Sequence, residues 1–106
     1  MLEGIHHIAI ICSDYQKSKR FYTEILGLTI IKETFRAHRD SFKLDLALND
    51  DYVIELFSFP NPQERTSRPE GCGLRHLALR VLDVEKVAEE LNRKGIFTEH
   101  IRIDEK

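Results

Sequence analysis

Apolar residues fall along the chain in short runs separated by polar punctuation, and the period of each run predicts an element. Ile5 to Cys12 is a run rich in isoleucine, with His6 and His7 near its head, and has the composition of a buried strand. Ser13 and Asp14 then offer helix N-caps, with Gln16 three residues after Ser13 as in a capping box. Phe21, Tyr22, Ile25 and Leu26 share one face of the helix that follows, and Lys17, Lys19 and Arg20 are left for solvent. Gly27 is placed to end it in a left-handed conformation. Three strand-like runs come next, "LTIIKETF" (28–35), "FKLDLAL" (42–48) and "YVIELFSF" (52–59), with a tight turn between the last two.

The same grammar returns 69 residues later. Leu74 to Val81 is apolar except at Arg75, His76 and Arg80. Asp83 can cap a helix whose Val84, Val87, Ala88 and Leu91 form a buried stripe, and Gly95 stops it. "IFTEHIRI" (96–103) supplies one more strand. The copies match at His7/His76, Ala9/Ala78, Asp14/Asp83 and Lys17/Lys86, so strand, cap, helix and terminator arrive in step. All three prolines, Pro60, Pro62 and Pro69, lie in the loop between the copies. The pattern predicts an α+β fold of two βαβββ modules in a single domain, 1–106. The first module spans about 1–59, the linker 60–73, and the second about 74–106. Two strands of the first copy have no counterpart in the second, so the expectation is a C-terminally truncated, incomplete module.

Length and charge narrow the partners. At 106 residues, with 42% hydrophobic and 32% charged, the chain suits one folded domain and not a disordered segment. Sixteen basic against eighteen acidic residues leave a formal charge of −2, which gives no electrostatic case for nucleic acid or an anionic membrane. No apolar stretch reaches bilayer-spanning length, and "MLEGIHH" lacks a signal-peptide layout, so a cytoplasmic protein is expected. Cys12 and Cys72 read as small buried thiols in preference to a disulfide.

Strand alternation locates candidate chemistry. His7 shares a face with Ile5, Ala9 and Ile11, and His76 with Leu74, Ala78 and Arg80. Glu55 shares a face with Val53, Phe57 and Phe59, and a carboxylate so placed needs a cation or a donor nearby. Two imidazoles and a carboxylate on sheet faces are a donor set for a divalent metal. The alternatives are hydrogen-bonded core histidines and a Glu55 paired with Arg39 or Arg80. If the copies face one another about a pseudo-twofold axis, His7 and His76 meet in one cleft. The mate of Glu55 would then fall at position 124, beyond Lys106. His38, Arg39 and Asp40 lie between strands and are placed to rim a pocket, with a solvated loop the commoner explanation of such a stretch; Arg75 and Arg80 are placed to steer an anion, which strand-edge ion pairs explain equally well. His6 is expected to point away from His7.

The stretches "HHIAIICSD…KSKRFYTEILGL", "YVIELFSFP" and "GLRHLALRV" cover nearly all of the chain. Together they resemble the vicinal-oxygen-chelate superfamily, which holds glyoxalase I, ring-cleaving dioxygenases, fosfomycin-resistance thiol transferases and bleomycin-binding proteins. They are similar in particular to short bacterial glyoxalase-I-like proteins. The resemblance implies paired βαβββ modules forming a cup-shaped mixed sheet around a divalent ion. It places metal ligands at His7, Glu55 and His76, with a last glutamate in a C-terminal strand absent here. It implies a lyase or isomerase acting on a hemithioacetal or a similar small oxygen-chelating substrate, with Glu55 or that absent glutamate as the catalytic base. Nickel or zinc is expected ahead of manganese, cobalt or iron, and the cleft is expected between the subunits of a homodimer. Two departures bear on the substrate: Ile11 stands where the family has a glutathione-binding arginine, and Phe59 where it has an asparagine. A thiol partner other than glutathione is therefore open. The other readings within the superfamily are a ring-cleaving dioxygenase, a thiol transferase and a metal-free bleomycin-type binding module.

Overall fold

Asp14 adopts an extended backbone and its carboxylate accepts from the Lys17 N–H at 3.1 Å, which starts a helix at the next residue. In the computed structural model, which describes residues 1–103, that helix belongs to the first of two compact units, Met1–Arg65 and Thr66–Lys106. The division falls inside the proline-bearing segment 60–73.

The first unit runs β1 (Ile8–Cys12), α1 (Tyr15–Arg20), a π-helical turn (Phe21–Ile25), β2 (Thr29–Arg36), a 3-10 turn (Ala37–Arg39), β3 (Ser41–Leu48) and β4 (Asp51–Ser58). This is the βαβββ order expected from the sequence. The four strands make one mixed sheet in the order β1-β4-β3-β2, with β1 parallel to β4 and the other pairs antiparallel. One sheet face carries the core: Cys12, Leu44, Leu46, Ile54 and Leu56 pack with Tyr15 and Leu28. Tyr15 stacks on Phe42 with ring centroids 4.6 Å apart and donates to Glu33 Oε2 at 2.5 Å, and Lys19 pairs with the same carboxylate at 2.8 Å. Lys19 is therefore committed to a partner, contrary to its expected solvent role.

Two local irregularities shape this unit. From cap to terminator the first helix is one residue longer than the second, since Asp14 precedes Gly27 by thirteen positions and Asp83 precedes Gly95 by twelve. The π-helical turn absorbs the extra residue: Leu26 N–H reaches the Phe21 carbonyl at 2.9 Å, a five-residue step. Gly27, at φ +81°, then ends the segment. The second irregularity lies in the β3–β4 hairpin. Ala47 pairs with Tyr52 but Leu46 pairs with Ile54, which leaves Val53 as an extra residue, a β-bulge.

The second unit contains one helix, α2 (Val84–Arg93), capped by Asp83 and followed by Gly95 at φ +84°. Among the described residues neither 74–81 nor 96–103 forms a strand, which corrects the expectation for both segments. The reason is pairing. A strand persists only where neighbouring backbone takes up its N–H and C=O groups, and the described part of this unit supplies no ladder. For the same reason α2 has no buried residue; Val87, Ala88 and Leu91 are only half-covered and Val84 is exposed. Both cysteines are free as expected, but Cys72 is exposed, because its loop is not packed into a core. Burial does push the Cys12 thiol pKa up. No helix among the described residues is long and apolar enough to cross a membrane.

Candidate functional site

The sheet face opposite the core carries the candidate chemistry. Across β1 and β4, Ala9 lies opposite Glu55, so alternation brings His7, one step before β1, onto the face that Glu55 occupies. His7 Nε2 and Glu55 Oε2 are 3.3 Å apart. His7 Nδ1 meets His6 Nδ1 at 2.8 Å, one ring donating and the other accepting, which leaves Nε2 turned toward the carboxylate. His6 is thus beside His7 and not opposed to it. His6 lies two residues before β1, where the backbone has left the strand and alternation no longer sets a side chain's direction.

The bulge at Val53 decides which face Glu55 takes relative to β3. Continued from the turn without it, the register would set Glu55 against Leu44, in the core; with it, Glu55 lies opposite Asp45. Two carboxylates directly opposed on adjacent strands repel. Lys43 Nζ answers both, at 3.3 Å from Asp45 Oδ1 and 3.7 Å from Glu55 Oε2. The Tyr52 hydroxyl donates to Glu55 Oε2 and lies 3.2 Å from Asp45 Oδ1. Burial, the hydrogen bond to Glu55 and the nearby carboxylate charges raise the Tyr52 pKa well above that of an ordinary phenol. One ammonium against two carboxylates leaves this cluster with a negative charge, and the carboxylates are largely shielded, with side chains 13–14% exposed.

Sequence reasoning found His7 and Glu55 and required a cation or donor near Glu55. It proposed Arg39 or Arg80 and missed Lys43, Asp45 and Tyr52. The alternation of "FKLDLAL" puts Lys43 and Asp45 on one face, but their meeting with Glu55 depends on the bulge, which no residue type announces. His76 belongs to the second unit, in the exposed segment 74–81. Among the described residues, no three His, Cys, Asp or Glu side chains are gathered as a metal-holding group.

Past Phe57, the same face of the first unit leads to a cavity of about 740 Å³ whose lining includes Ile11, Arg39, Phe59, Glu64 and Arg65. Of the three residues expected at a pocket rim, Arg39 lines this cavity and His38 and Asp40 do not.

Residues 4–105 match the model of the Glyoxalase/Bleomycin resistance protein/Dioxygenase superfamily. The chain is 62% identical over 104 residues to the uncharacterized protein YwkD of Bacillus subtilis, covering 98% of this chain and 81% of that protein. It is 56% identical over 103 residues to the uncharacterized protein YaeR of Escherichia coli, covering 97% and 80%. The crystal structure of a glyoxalase family protein from Enterococcus faecalis superimposes with a TM-score of 0.88 at 42% identity, covering 97% of this chain and 81% of that one. The chain belongs to the glyoxalase/bleomycin resistance/dioxygenase superfamily.

Proposed function

We propose that this protein is a metal-dependent, glyoxalase-I-like lyase or isomerase acting on a hemithioacetal or a similar small substrate with two neighbouring oxygens. The observation that carries the reading is the approach of His7 Nε2 to Glu55 Oε2 at 3.3 Å. Two ligand atoms, each about 2.1 Å from a common ion, lie about 3.0 to 3.4 Å apart between octahedral and tetrahedral angles, so this pair fits one divalent ion. The unbalanced charge of Asp45 and Glu55 against Lys43 favours a cation there as well.

His7 and Glu55 would hold the ion, with His76 as a third ligand from the same chain or from the second copy of a homodimer. Nitrogen and carboxylate donors suit nickel or zinc ahead of manganese, cobalt or iron. Bound, the ion would supply Lewis-acid stabilisation of negative charge developing on the substrate oxygens. Glu55 is the candidate base, taking a proton from one carbon and returning it to its neighbour. Tyr52 and Lys43 fix the orientation of that carboxylate, and His6 fixes the ring of His7.

Calorimetric titration of nickel and of zinc into metal-stripped protein tests the assignment. His7→Ala and Glu55→Gln should each weaken binding about a hundredfold or more, and His6→Ala about tenfold. Full affinity in both of the first two variants would overturn the ligand assignment. Turnover of methylglyoxal mixed with several thiols then tests the reaction, and sedimentation at micromolar concentration tests the dimer.

A further inference from the structure

We infer that Asp45 is a positioning residue for Glu55: it holds the Lys43 ammonium to itself and so keeps that cation from closing the carboxylate oxygen that faces His7. The inference rests on the metal-site reading of His7 and Glu55, and it adds a residue to which that reading gives no part.

The placement follows from register. Asp45 lies directly opposite Glu55, while Lys43, two residues earlier on β3, lies opposite Phe57. Lys43 and Asp45 therefore share the face of Glu55, and Lys43 reaches Glu55 only along the diagonal. A lysine can span it, because its ammonium is a compact charge on a flexible stem. Two carboxylates are within its range, and the division between them is unequal. Nζ stands 3.3 Å from Asp45 Oδ1 and 3.7 Å from Glu55 Oε2. Lys32 lies opposite Asp45 on β2, but among the described residues it makes no ion pair, so the cation that answers Asp45 is Lys43.

Hydrogen bonding explains why the division matters. A phenol has one proton to give, and that of Tyr52 goes to Glu55. Asp45, with a side chain only 13% exposed, is left dependent on Lys43. On Glu55, the contacts from His7, Tyr52 and Lys43 all fall on the same atom, Oε2. A carboxylate oxygen offers two lone-pair directions. Tyr52 takes one, and the other is needed toward His7, whose Nε2 is 3.3 Å away. An ammonium drawn fully onto Oε2 would occupy that second direction and set a positive charge against an arriving cation. Asp45 prevents this by offering the ammonium a nearer partner. Without its charge, Lys43 has a single carboxylate left to bind.

Nickel calorimetry on the metal-stripped protein tests the inference as a double-mutant cycle. Asp45→Asn should weaken nickel binding about tenfold, the range for a group that orients a ligand. Lys43→Met alone should change Kd by less than about twofold, because Asp45 already holds the ammonium aside. Lys43→Met added to Asp45→Asn should restore Kd to within about threefold of wild type. Charges acting only through space give another pattern, in which Lys43→Met tightens binding by one factor in both backgrounds. Factors equal within about twofold overturn the inference, as does an unchanged Kd in Asp45→Asn. Should Asp45→Asn fail to fold, the single variant decides, since severalfold tighter binding by Lys43→Met contradicts an ammonium held aside. Failure of the metal reading looks different: the wild-type protein then binds nickel no better than Glu55→Gln does. The carbon NMR signal of the Glu55 carboxylate in metal-free protein settles that case. It should move in Asp45→Asn and return when Lys43→Met is added, and a signal unmoved by Asp45→Asn refutes the role of Asp45.

Discussion

Asp14 and Asp83 open their helices with nearly one backbone, φ −133° and ψ 98° against φ −137° and ψ 100°, and each accepts from an N–H three residues on at 3.1 Å. Past the caps the two copies diverge. Tyr15, the first residue of α1, is 9% exposed, stacked on Phe42 and bonded to Glu33; Val84, its counterpart in α2, is 53% exposed. Ile10 packs against the core, and its counterpart Leu79 is 44% exposed. The difference shows which signals are local. A cap needs only the residues beside it, whereas a buried stripe needs a sheet to face, and in the first unit β2, β3 and β4 supply it.

The sharpest way to break this comparison is in the apolar positions. Leu56→Ala, at a fully buried site in the first unit, should cost about 2 to 5 kcal/mol in urea unfolding. Leu91→Ala, on the half-covered face of α2, should cost less than about 1 kcal/mol. An equal cost at Leu91 would mean that something covers the second copy in solution, and a dependence on protein concentration would identify a second chain. The caps should behave alike: Asp14→Ala and Asp83→Ala should each cost about 1 kcal/mol, read as a drop in thermal midpoint. A much smaller effect at Asp83 would show that α2 is held less by its cap than its geometry suggests.

The finest test is alkaline. Burial and the hydrogen bond to Glu33 raise the Tyr15 pKa in the folded protein above the ordinary phenol value of 10.0. A raised folded pKa binds the proton more tightly in the native state, so the associated stability is complete below about pH 10 and is lost as pH climbs beyond it. Tyr15→Phe should flatten that loss by under about 1 kcal/mol between pH 10 and 11, measured as urea midpoints. Val84→Tyr in the second copy should add no such dependence, because nothing there buries the hydroxyl.

Much of the first unit was legible because its signals are periodic. The runs 28–35, 42–48 and 52–59 differ from β2, β3 and β4 by at most one residue at each end, and Asp14 and Gly27 bound the helical segment. His7 and Glu55 were each readable as a polar residue on the face of its own run, and the parallel register of β1 on β4 is what brings the two together. What escaped depends on non-local events. The partners of Glu55 are set by a bulge whose position rests on how two strands settle together, so Lys43 and Tyr52 went unnamed where Arg39 was proposed. The strands expected at 74–81 and 96–103 have the right composition, but composition cannot supply a neighbour. The exposure of Cys72 is another case, since thiols are buried only where a core exists to receive them.

The extra residue at Val53 ties the length of a hairpin to the chemistry of a surface. Deleting Val53 itself would keep Glu55 opposite Asp45, whereas grafting a tip that forces simple pairing from Leu48 and Asp51 onward with Val53 retained would do more than alter the turn. It would oppose Glu55 to Leu44 and drive a carboxylate toward the oily side of the sheet, trading an acidic centre for a folding defect. Swapping residues at the tip, with its count preserved, leaves that relation intact. In this hairpin, loop engineering must conserve number before it considers identity.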